Sequence, residues 1–421
     1  MAHPGPYPHF RLNLEQQGKR AKDLLKAALR GDAQVLARFK SLPPKLAEAQ
    51  FLIAREQRFD NWAALKHHIA AMERERTCLG GPALDGDVRT LHLRCGSDLR
   101  VPLQEAGFRG DFLEHSYPYL IGPVREGVDC LEQRAQFLVD SYGNDREPPL
   151  RYEAVLHGLQ HDEQLLLDSA DYERVVIWSE GDCYDQLVLI RLLAHYATHR
   201  APARIELITV ADFPGSLRFM GLGQLPPEAL RLLWPQRCAV TAAQLSLGLA
   251  AWKALASADP RALAALLRGG TPALPLLAPA LHRHLLELPS QFNGLCFTQQ
   301  MALRMLGEQP RSLNQLFGMM NFKLDPLPGQ GDSQMRDRVV PMEQVATPLF
   351  SRISGVDSQG RSRPPWTDVL QITDAGRAVL EGELDFHSLE PPMRWVGGVR
   401  ISAADPDWRW DERRCDIVLR R

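Results

Sequence analysis

The pattern of apolar residues changes from strand-like to helix-like between residues 174 and 193. Residues 175–178 form a short, continuous apolar run with β-branched residues at its start, which is typical of a strand buried on both faces. From Leu187 onward, apolar residues such as Ile190 and Leu193 recur at helical spacing. This stretch therefore predicts a strand followed by a helix. In open α/β sheets, ligand sites lie where parallel strands end.

Strand-like and helix-like patterns alternate on both sides of this stretch. Residues 90–95, 110–115 and 204–209 predict three further strands, and turns with helical patterns separate them. A strand, a helix and a second strand in this order form a βαβ unit, which produces a parallel sheet. We therefore predict a small Rossmann-like sheet of about four parallel strands within residues 88–212.

Helical patterns dominate the rest of the chain. Apolar residues spaced three and four apart predict four short helices within residues 11–77, ahead of a Gly- and Pro-rich linker at 78–87. Toward the C-terminus, helices precede two strands at 349–353 and 369–373, an order similar to that of winged-helix domains.

The predicted fold class is α/β plus all-α, with a Rossmann-like parallel sheet between an N-terminal helical module and a C-terminal helical and winged-helix-like region. The predicted segments are a disordered tail (1–10), the helical module (11–77), the Rossmann-like domain (88–212), a helical linker domain (213–290), the winged-helix-like domain (291–402) and a C-terminal tail (403–421).

Three carboxylates lie at the junction between the predicted central strand and its helix. Glu180, Asp182 and Asp185 could bind a divalent cation through oxygen atoms, or one of them could serve as a general base. The structural alternative is that Asp182 caps the helix and Asp185 lies in its first turn, where a negative charge is favoured. Glu180 precedes the helix, so capping does not explain it. We predict catalytic and metal-binding roles for all three.

Polar residues also follow the other predicted strands. Ser97 and Asp98 come after the first strand, and Glu114 and His115 end the second. Because parallel strands end at one edge of a sheet, we expect these residues to lie near the acidic cluster. The predicted ligand-binding residues are therefore Ser97, Asp98, Glu114, His115 and Gln186.

Composition and short motifs exclude several classes of protein. The chain has no Gly-rich dinucleotide fingerprint, no P-loop and no nucleophile elbow of the GxSxG type. Its seven cysteines include no CxxC pair, which predicts reduced thiols in the cytoplasm. No apolar run is long enough to predict a membrane span, and the first residues lack the apolar region of a secretory signal.

The distribution of charge gives little support for a nucleic-acid partner. The formal net charge is −2, and the candidate recognition helix at 331–344 carries two arginines against three acidic residues. Residues 9–76 are mildly basic, with 14 Lys and Arg against 8 Asp and Glu, so an acidic partner is one alternative to a solvated surface. A homo-oligomer is also compatible with the sequence.

Several spaced segments resemble a bacterial family catalogued as domain of unknown function 1835. They are LHLRCGSDL, GDFLEHSYPYLIGPV, VVIWSEGDCYDQLVL, RFMGLGQLPPEAL and RWVGGVRI, within residues 88–402. The family pattern W-F-E-H-D-x-Y-D-Q is matched at Trp178, Glu180, Asp182, Tyr184, Asp185 and Gln186, whereas Ser179 and Gly181 depart from it. The resemblance implies no particular activity, and the missing histidine implies altered chemistry if the family uses that side chain.

The leading hypothesis from the sequence is an enzyme that binds a nucleotide or another phosphorylated small molecule at the acidic strand ends. A divalent cation is a candidate cofactor there. One alternative is a ligand-sensing transcriptional regulator with a DNA-binding winged helix, and another is a protein-interaction scaffold.

Overall fold

The computed structural model describes residues 10–127, 129–143, 148–215, 219–353 and 367–420. Most of the predicted N-terminal tail and the tip of the predicted wing lie outside these ranges. The chain divides into two compact units, each built from separate stretches: Met1–Glu114, Asp171–Glu180 and Pro202–Ala239 in the first, and His115–Ala170, Gly181–Ala201 and Val240–Arg421 in the second. Within the described ranges, the helices are too short or too polar to span a bilayer.

A five-stranded sheet is the centre of the first unit. Its strands are β1 (Thr90–Arg94), β2 (Asp111–Glu114), β3 (Arg174–Glu180), β4 (Arg204–Val210) and β5 (Cys238–Ala239). The order is β2-β1-β3-β4-β5; the first four strands are parallel, and β5 runs antiparallel to β4. The predicted α/β class and its parallel sheet are thus confirmed. The two-residue antiparallel edge strand was not predicted.

Apolar residues determine which strands lie in the middle of this sheet. Every residue of β1 and β3 is buried, as expected for the central strands of a parallel sheet. Two short helices, α5 (Arg100–Glu105) and α9 (Pro227–Leu233), contribute Leu103 and Leu230 to the same core as Trp178 of β3. The strand ends are therefore held on a rigid, well-packed base.

Four helices precede the sheet, as the spacing of apolar residues predicts. They are α1 (Leu14–Leu29), α2 (Ala33–Leu36), α3 (Leu46–Glu56) and α4 (Trp62–Thr77). The side chains of Asn13 and Asp32 cap α1 and α2 by accepting backbone N–H groups. Asn61 caps α4 in the same way by accepting the backbone N–H of Ala64.

Helices pack closely in the first half of the second unit. They are α6 (Cys130–Tyr142), α7 (Tyr152–Asp168), α8 (Cys183–Thr198), α10 (Ala242–Ala256), α11 (Arg261–Gly269) and α12 (Leu277–Leu285). A Cβ atom at Gly248 of α10 would lie only 2.4 Å from the Cβ of Leu193 of α8, so glycine is needed for these two helices to approach.

The next segment of the second unit combines helices with a three-stranded antiparallel sheet. It comprises α13 (Phe297–Glu308), β6 (Arg311–Ser312), α14 (Leu313–Met319), α15 (Asp332–Val339), β7 (Phe350–Ile353), β8 (Val369–Ile372) and α16 (Asp374–Glu381). The antiparallel sheet has the order β6-β8-β7. The α-helical part of α15 ends at Val339, short of the predicted Gln344, because Pro341 cannot continue it.

Two β-hairpins complete the second unit. The first pairs β9 (Arg394–Val396) with β10 (Val399–Ile401), and the second pairs β11 (Trp408–Asp411) with β12 (Asp416–Leu419). The segment predicted as a C-terminal tail therefore contains an ordered hairpin, and Trp410 is only 3% exposed. Its alternation over two four-residue strands was too short to be separated from a loop.

Candidate functional site

The predicted acidic strand end in the first unit is an ion-paired network. Glu180, the last residue of β3, is buried and accepts hydrogen bonds from Arg94 Nη2 at 2.9 Å and from the backbone N–H of Leu222. Arg94 ends the neighbouring strand β1 and also donates to both carboxylate oxygens of Asp98, each at 3.2 Å. The structure thus brings Glu180 and Asp98 together, as predicted, around a cation that was not predicted.

Two glycines allow a loop to close over these carboxylates. A Cβ atom at Gly221 would lie 2.7 Å from Glu180 Oε1, and one at Gly223 would lie 2.7 Å from Asp98 Oδ2. Only glycine leaves room for the backbone to approach this closely. The sequence GLG at 221–223 therefore has a packing role beside the strand ends, and Glu180 fixes the loop through Leu222.

Glu180→Gln is expected to destabilise the first unit by about 2–4 kcal/mol, because Arg94 would lose its buried charged partner. Arg94 is only 3% exposed, so water cannot replace the carboxylate. Urea unfolding of the purified variant measures the loss. Asp98→Asn is the matched control: the Asp98 side chain is 38% exposed, and its loss should cost less than about 1 kcal/mol. Equal losses in both variants would contradict the structural role of Glu180.

The other two acids of the predicted cluster belong to the second unit. Asp182 is the N-cap of α8 and accepts the backbone N–H of Asp185 at 2.9 Å, so the capping interpretation is confirmed for Asp182. Asp185 and Gln186 lie in the first turn of α8 and are 2% and 1% exposed. The joint binding of a divalent cation by Glu180, Asp182 and Asp185 remains a prediction.

The remaining predicted residues have different surroundings. Ser97 is exposed in the turn after β1, and Glu114 at the end of β2 forms an ion pair of 3.8 Å with Arg100. His115 is the first residue of the second unit and is fully buried. Its Nε2 atom lies 3.2 Å from the hydroxyl oxygen of Tyr119. That tyrosine leads to a site that sequence reasoning missed.

The second unit contains a cavity of about 560 Å³. This volume is within the usual range for small-molecule sites. The wall is formed by α6, α7, α8, α10 and the loop that precedes α6. The wall includes three aromatic residues, four cations and two carboxylates: Tyr117, Tyr119, Trp252, Arg125, Arg134, Arg191, Lys253, Glu126 and Glu163.

Arg134 is the most unusual charge in the cavity wall. It is 6% exposed, and its guanidinium donates to the carbonyl oxygens of Ile121 and, at 2.9 Å, of Pro118. Among the described residues no carboxylate pairs with it, and its Nε has no hydrogen-bond partner. Burial lowers the pKa of Arg134 from its usual value. A buried cation without a counter-charge is costly, so this position calls for an anion.

Gly122 allows the backbone carbonyl groups to lie against Arg134. Gly122 has a φ of +71°, and a Cβ atom there would lie 2.3 Å from the Phe137 ring and 2.7 Å from Arg134 Nη1. The left-handed backbone and the lack of a side chain are therefore both required. The phrase YLIGPV in the sequence contains this glycine, but its spacing alone does not reveal the arginine beneath it.

The other charges of the cavity are partly balanced within it. Arg191 of α8 forms an ion pair with Glu163 of α7 and lies 5.4 Å from the centre of the Trp252 ring. Lys253 is exposed, and Arg125 is half-buried. Counting the four cations against the two carboxylates, and His199 as neutral, the wall carries a formal charge of +2.

Comparison with models of known protein families and with curated proteins found no match for this sequence. The resemblance to the family of unknown function therefore remains a prediction.

Proposed function

We propose that the protein binds a phosphorylated small molecule, such as a nucleotide, in the cavity of the second unit. The observation that carries this proposal is Arg134, a buried cation on the cavity wall whose hydrogen bonds within the described ranges go to carbonyl oxygens. Binding of this kind is the step that an enzyme and a ligand-sensing regulator would share.

An anion in the cavity would supply the counter-charge that the described part of the chain does not give Arg134. Hydrogen bonds between a guanidinium and a phosphate are strong, because both partners are charged and the planar donors match the phosphate oxygens. The protein therefore retains a costly buried charge that an anionic ligand would compensate.

The remaining wall indicates what kind of anion fits. Its formal charge of +2 matches a phosphate monoester better than a single carboxylate. The walls also include Tyr119 and Trp252, whose rings meet edge to face with centres 5.0 Å apart. Aromatic and apolar walls favour a ligand with a substantial organic body. A nucleotide or a sugar phosphate has both parts.

This ligand class is the one predicted from the sequence, but we place it away from the acidic strand end. Glu180 already bonds a cation and a backbone N–H there, and carboxylates without a bound metal repel a phosphate. That edge of the sheet would take part in chemistry with a divalent cation bound by Glu180, Asp182 and Asp185.

Arg134→Met is expected to weaken the binding of adenosine 5′-monophosphate and ribose 5-phosphate at least 30-fold, because it removes a buried cation with which no carboxylate of the described residues pairs. Isothermal titration of the wild type and the variant with both probes measures the change. Arg134→Lys keeps the charge and should retain more affinity. Circular dichroism verifies that each variant is folded.

Lys253→Met is the matched control, since Lys253 lines the same cavity but is exposed. Its loss should reduce affinity only about two- to threefold, as expected for a charge in contact with water. Failure of the wild type to bind any phosphorylated probe, or unchanged binding by folded Arg134→Met, would overturn the proposal.

A ligand-sensing regulator is a second candidate, supported by the strand order β6-β8-β7 in the C-terminal part of the second unit, which is similar to that of winged helices. Its candidate recognition helix, however, is engaged within the unit. Arg338 of α15 is 3% exposed and donates to the carbonyl oxygens of Leu120 and Trp395, and Tyr142 donates to Asp337. Salt-dependent binding to duplex DNA would support this candidate over an enzyme.

A further inference from the structure

We infer that Tyr119 is the specificity-determining hydrogen-bond donor of the cavity, and that its hydroxyl proton is directed to an oxygen of the bound phosphate. This inference rests on the proposed function and adds a named contact to it. Tyr119 lines the cavity and is 8% exposed, so its hydroxyl is held in place by the protein and is largely removed from water.

His115 fixes the hydroxyl oxygen of Tyr119 from behind. Its Nε2 atom lies 3.2 Å from that oxygen, while its Nδ1 atom is buried and has no partner among the described residues. If the proton is on Nε2, the unpaired atom Nδ1 is an acceptor. If the proton is on Nδ1, an N–H group is buried without an acceptor, which is rare in proteins. His115 is therefore the donor to Tyr119. Burial also lowers the pKa of His115 to about 3, so the ring is neutral.

Arg191 supplies a second interaction to the same hydroxyl. Its guanidinium interacts with Tyr119 and is anchored by Glu163. Burial raises the pKa of Tyr119 despite the opposing effect of Arg191, so the phenol keeps its proton. Two groups thus favour the oxygen of Tyr119 as an acceptor. The O–H is left without a protein acceptor in the described ranges and is available to a ligand.

The neighbouring tyrosine shows the contrast. Tyr117 lines the same cavity, with its ring centre 6.0 Å from that of Tyr119, but its hydroxyl donates to Asp162 at 2.7 Å. Its proton therefore has an acceptor within the protein. The two rings give the cavity similar aromatic surface, and only Tyr119 has a proton to offer to the ligand. The anion subsite accordingly combines Arg134 with the hydroxyl of Tyr119.

The experiment compares Tyr119→Phe with Tyr117→Phe in the full-length protein by isothermal titration with adenosine 5′-monophosphate and ribose 5-phosphate. We expect Tyr119→Phe to weaken both probes about tenfold, the effect of losing one hydrogen bond to a charged group. Tyr117→Phe should change either affinity less than threefold. Because the donor is a phenol that keeps its proton, the tenfold ratio should stay constant between pH 7 and pH 9.

Each result separates the inference from the proposed function. If the wild type binds neither probe, the proposed function fails and the inference fails with it. If the wild type binds and the two tyrosine variants are equally affected, the inference is overturned while the proposed function stands. If Tyr119→Phe weakens the binding of adenosine 5′-monophosphate but not of ribose 5-phosphate, Tyr119 contacts the base. Its assignment to the phosphate would then be overturned. Melting temperatures without ligand identify any variant that is weakened by structural damage alone.

Discussion

Arg283→Met is expected to destabilise the second unit by about 3–5 kcal/mol, the largest effect of a single substitution that we predict. The Arg283 guanidinium donates to Glu287 at 2.6 Å and to Asp325 at 2.9 Å. All three side chains are 5% exposed or less. Without the arginine, the two carboxylates would have little access to water, and less positive charge would compensate their negative charge.

The electrostatics of Glu287 show how strongly this network is coupled. Burial alone would raise the pKa of Glu287, but Arg283 and Arg338 lower it to about 2. The hydroxyl of Thr298 adds a hydrogen bond of 2.6 Å to the same carboxylate. A carboxylate that is stabilised mainly by buried cations loses a large part of that stabilisation when one cation is removed.

Urea unfolding followed by circular dichroism measures this effect, with Arg400→Met as the control. Arg400 also bonds a carboxylate, that of Asp405 at 2.9 Å, but its side chain is 51% exposed. An exposed pair contributes little, so the control should lose less than about 1 kcal/mol. Comparable losses in the two variants would contradict the importance of burial. Adding Asp325→Asn to Arg283→Met should recover part of the loss, since it removes one of the two uncompensated carboxylates and leaves Glu287 paired with Arg338.

The fold could be predicted from the sequence where local patterns determine it. The parallel sheet follows from apolar runs such as the one in β3, and the helices follow from their spacing and from caps such as Thr241 at the start of α10. The short strands β5 and β11 could not be predicted, because two to four residues carry too little periodicity. β5 also depends on its pairing with β4, which lies well before it in the chain.

The candidate site could be predicted only in part, for a related reason. The acids at the end of β3 are close in sequence and stand out, whereas their partner Arg94 lies 86 positions away. The cavity gathers residues such as Tyr119, Arg134 and Trp252 from separate elements of the second unit. Each of them has an ordinary sequence context. His115 was predicted as a ligand-binding residue, and the structure places it beside Tyr119, one layer behind the cavity wall.

Lowering the pH from about 6 to about 4 is expected to destabilise the second unit steeply, because it contains three buried histidines. His115, His195 and His284 are 2% exposed or less. Burial lowers their pKa values to about 3, 4 and 3, respectively. In the unfolded chain the same side chains titrate near pH 6.5.

The direction of this effect follows from the protons that each state binds. Below about pH 6.5 the unfolded chain takes up a proton at each histidine, whereas the folded chain does not until about pH 4 or lower. Acid therefore favours the unfolded state. Each histidine contributes about 1.4 kcal/mol per pH unit, so the three together give a slope of up to about 4 kcal/mol per pH unit. Buried acids such as Glu287, with a pKa of about 2, add to the loss only at lower pH.

His195→Phe is the variant that tests this explanation. His195 has a buried Nε2 atom without a partner among the described residues, so a phenylalanine can take its place at the cost of the ring's interaction with the backbone of Leu166. Urea unfolding between pH 7 and pH 4 should show a slope reduced by about one third in this variant. His157→Phe changes an exposed histidine and should leave the slope as in the wild type. A stability that stays flat down to pH 4.5, or an unchanged slope in His195→Phe, would mean that the buried histidines are protonated in the folded protein.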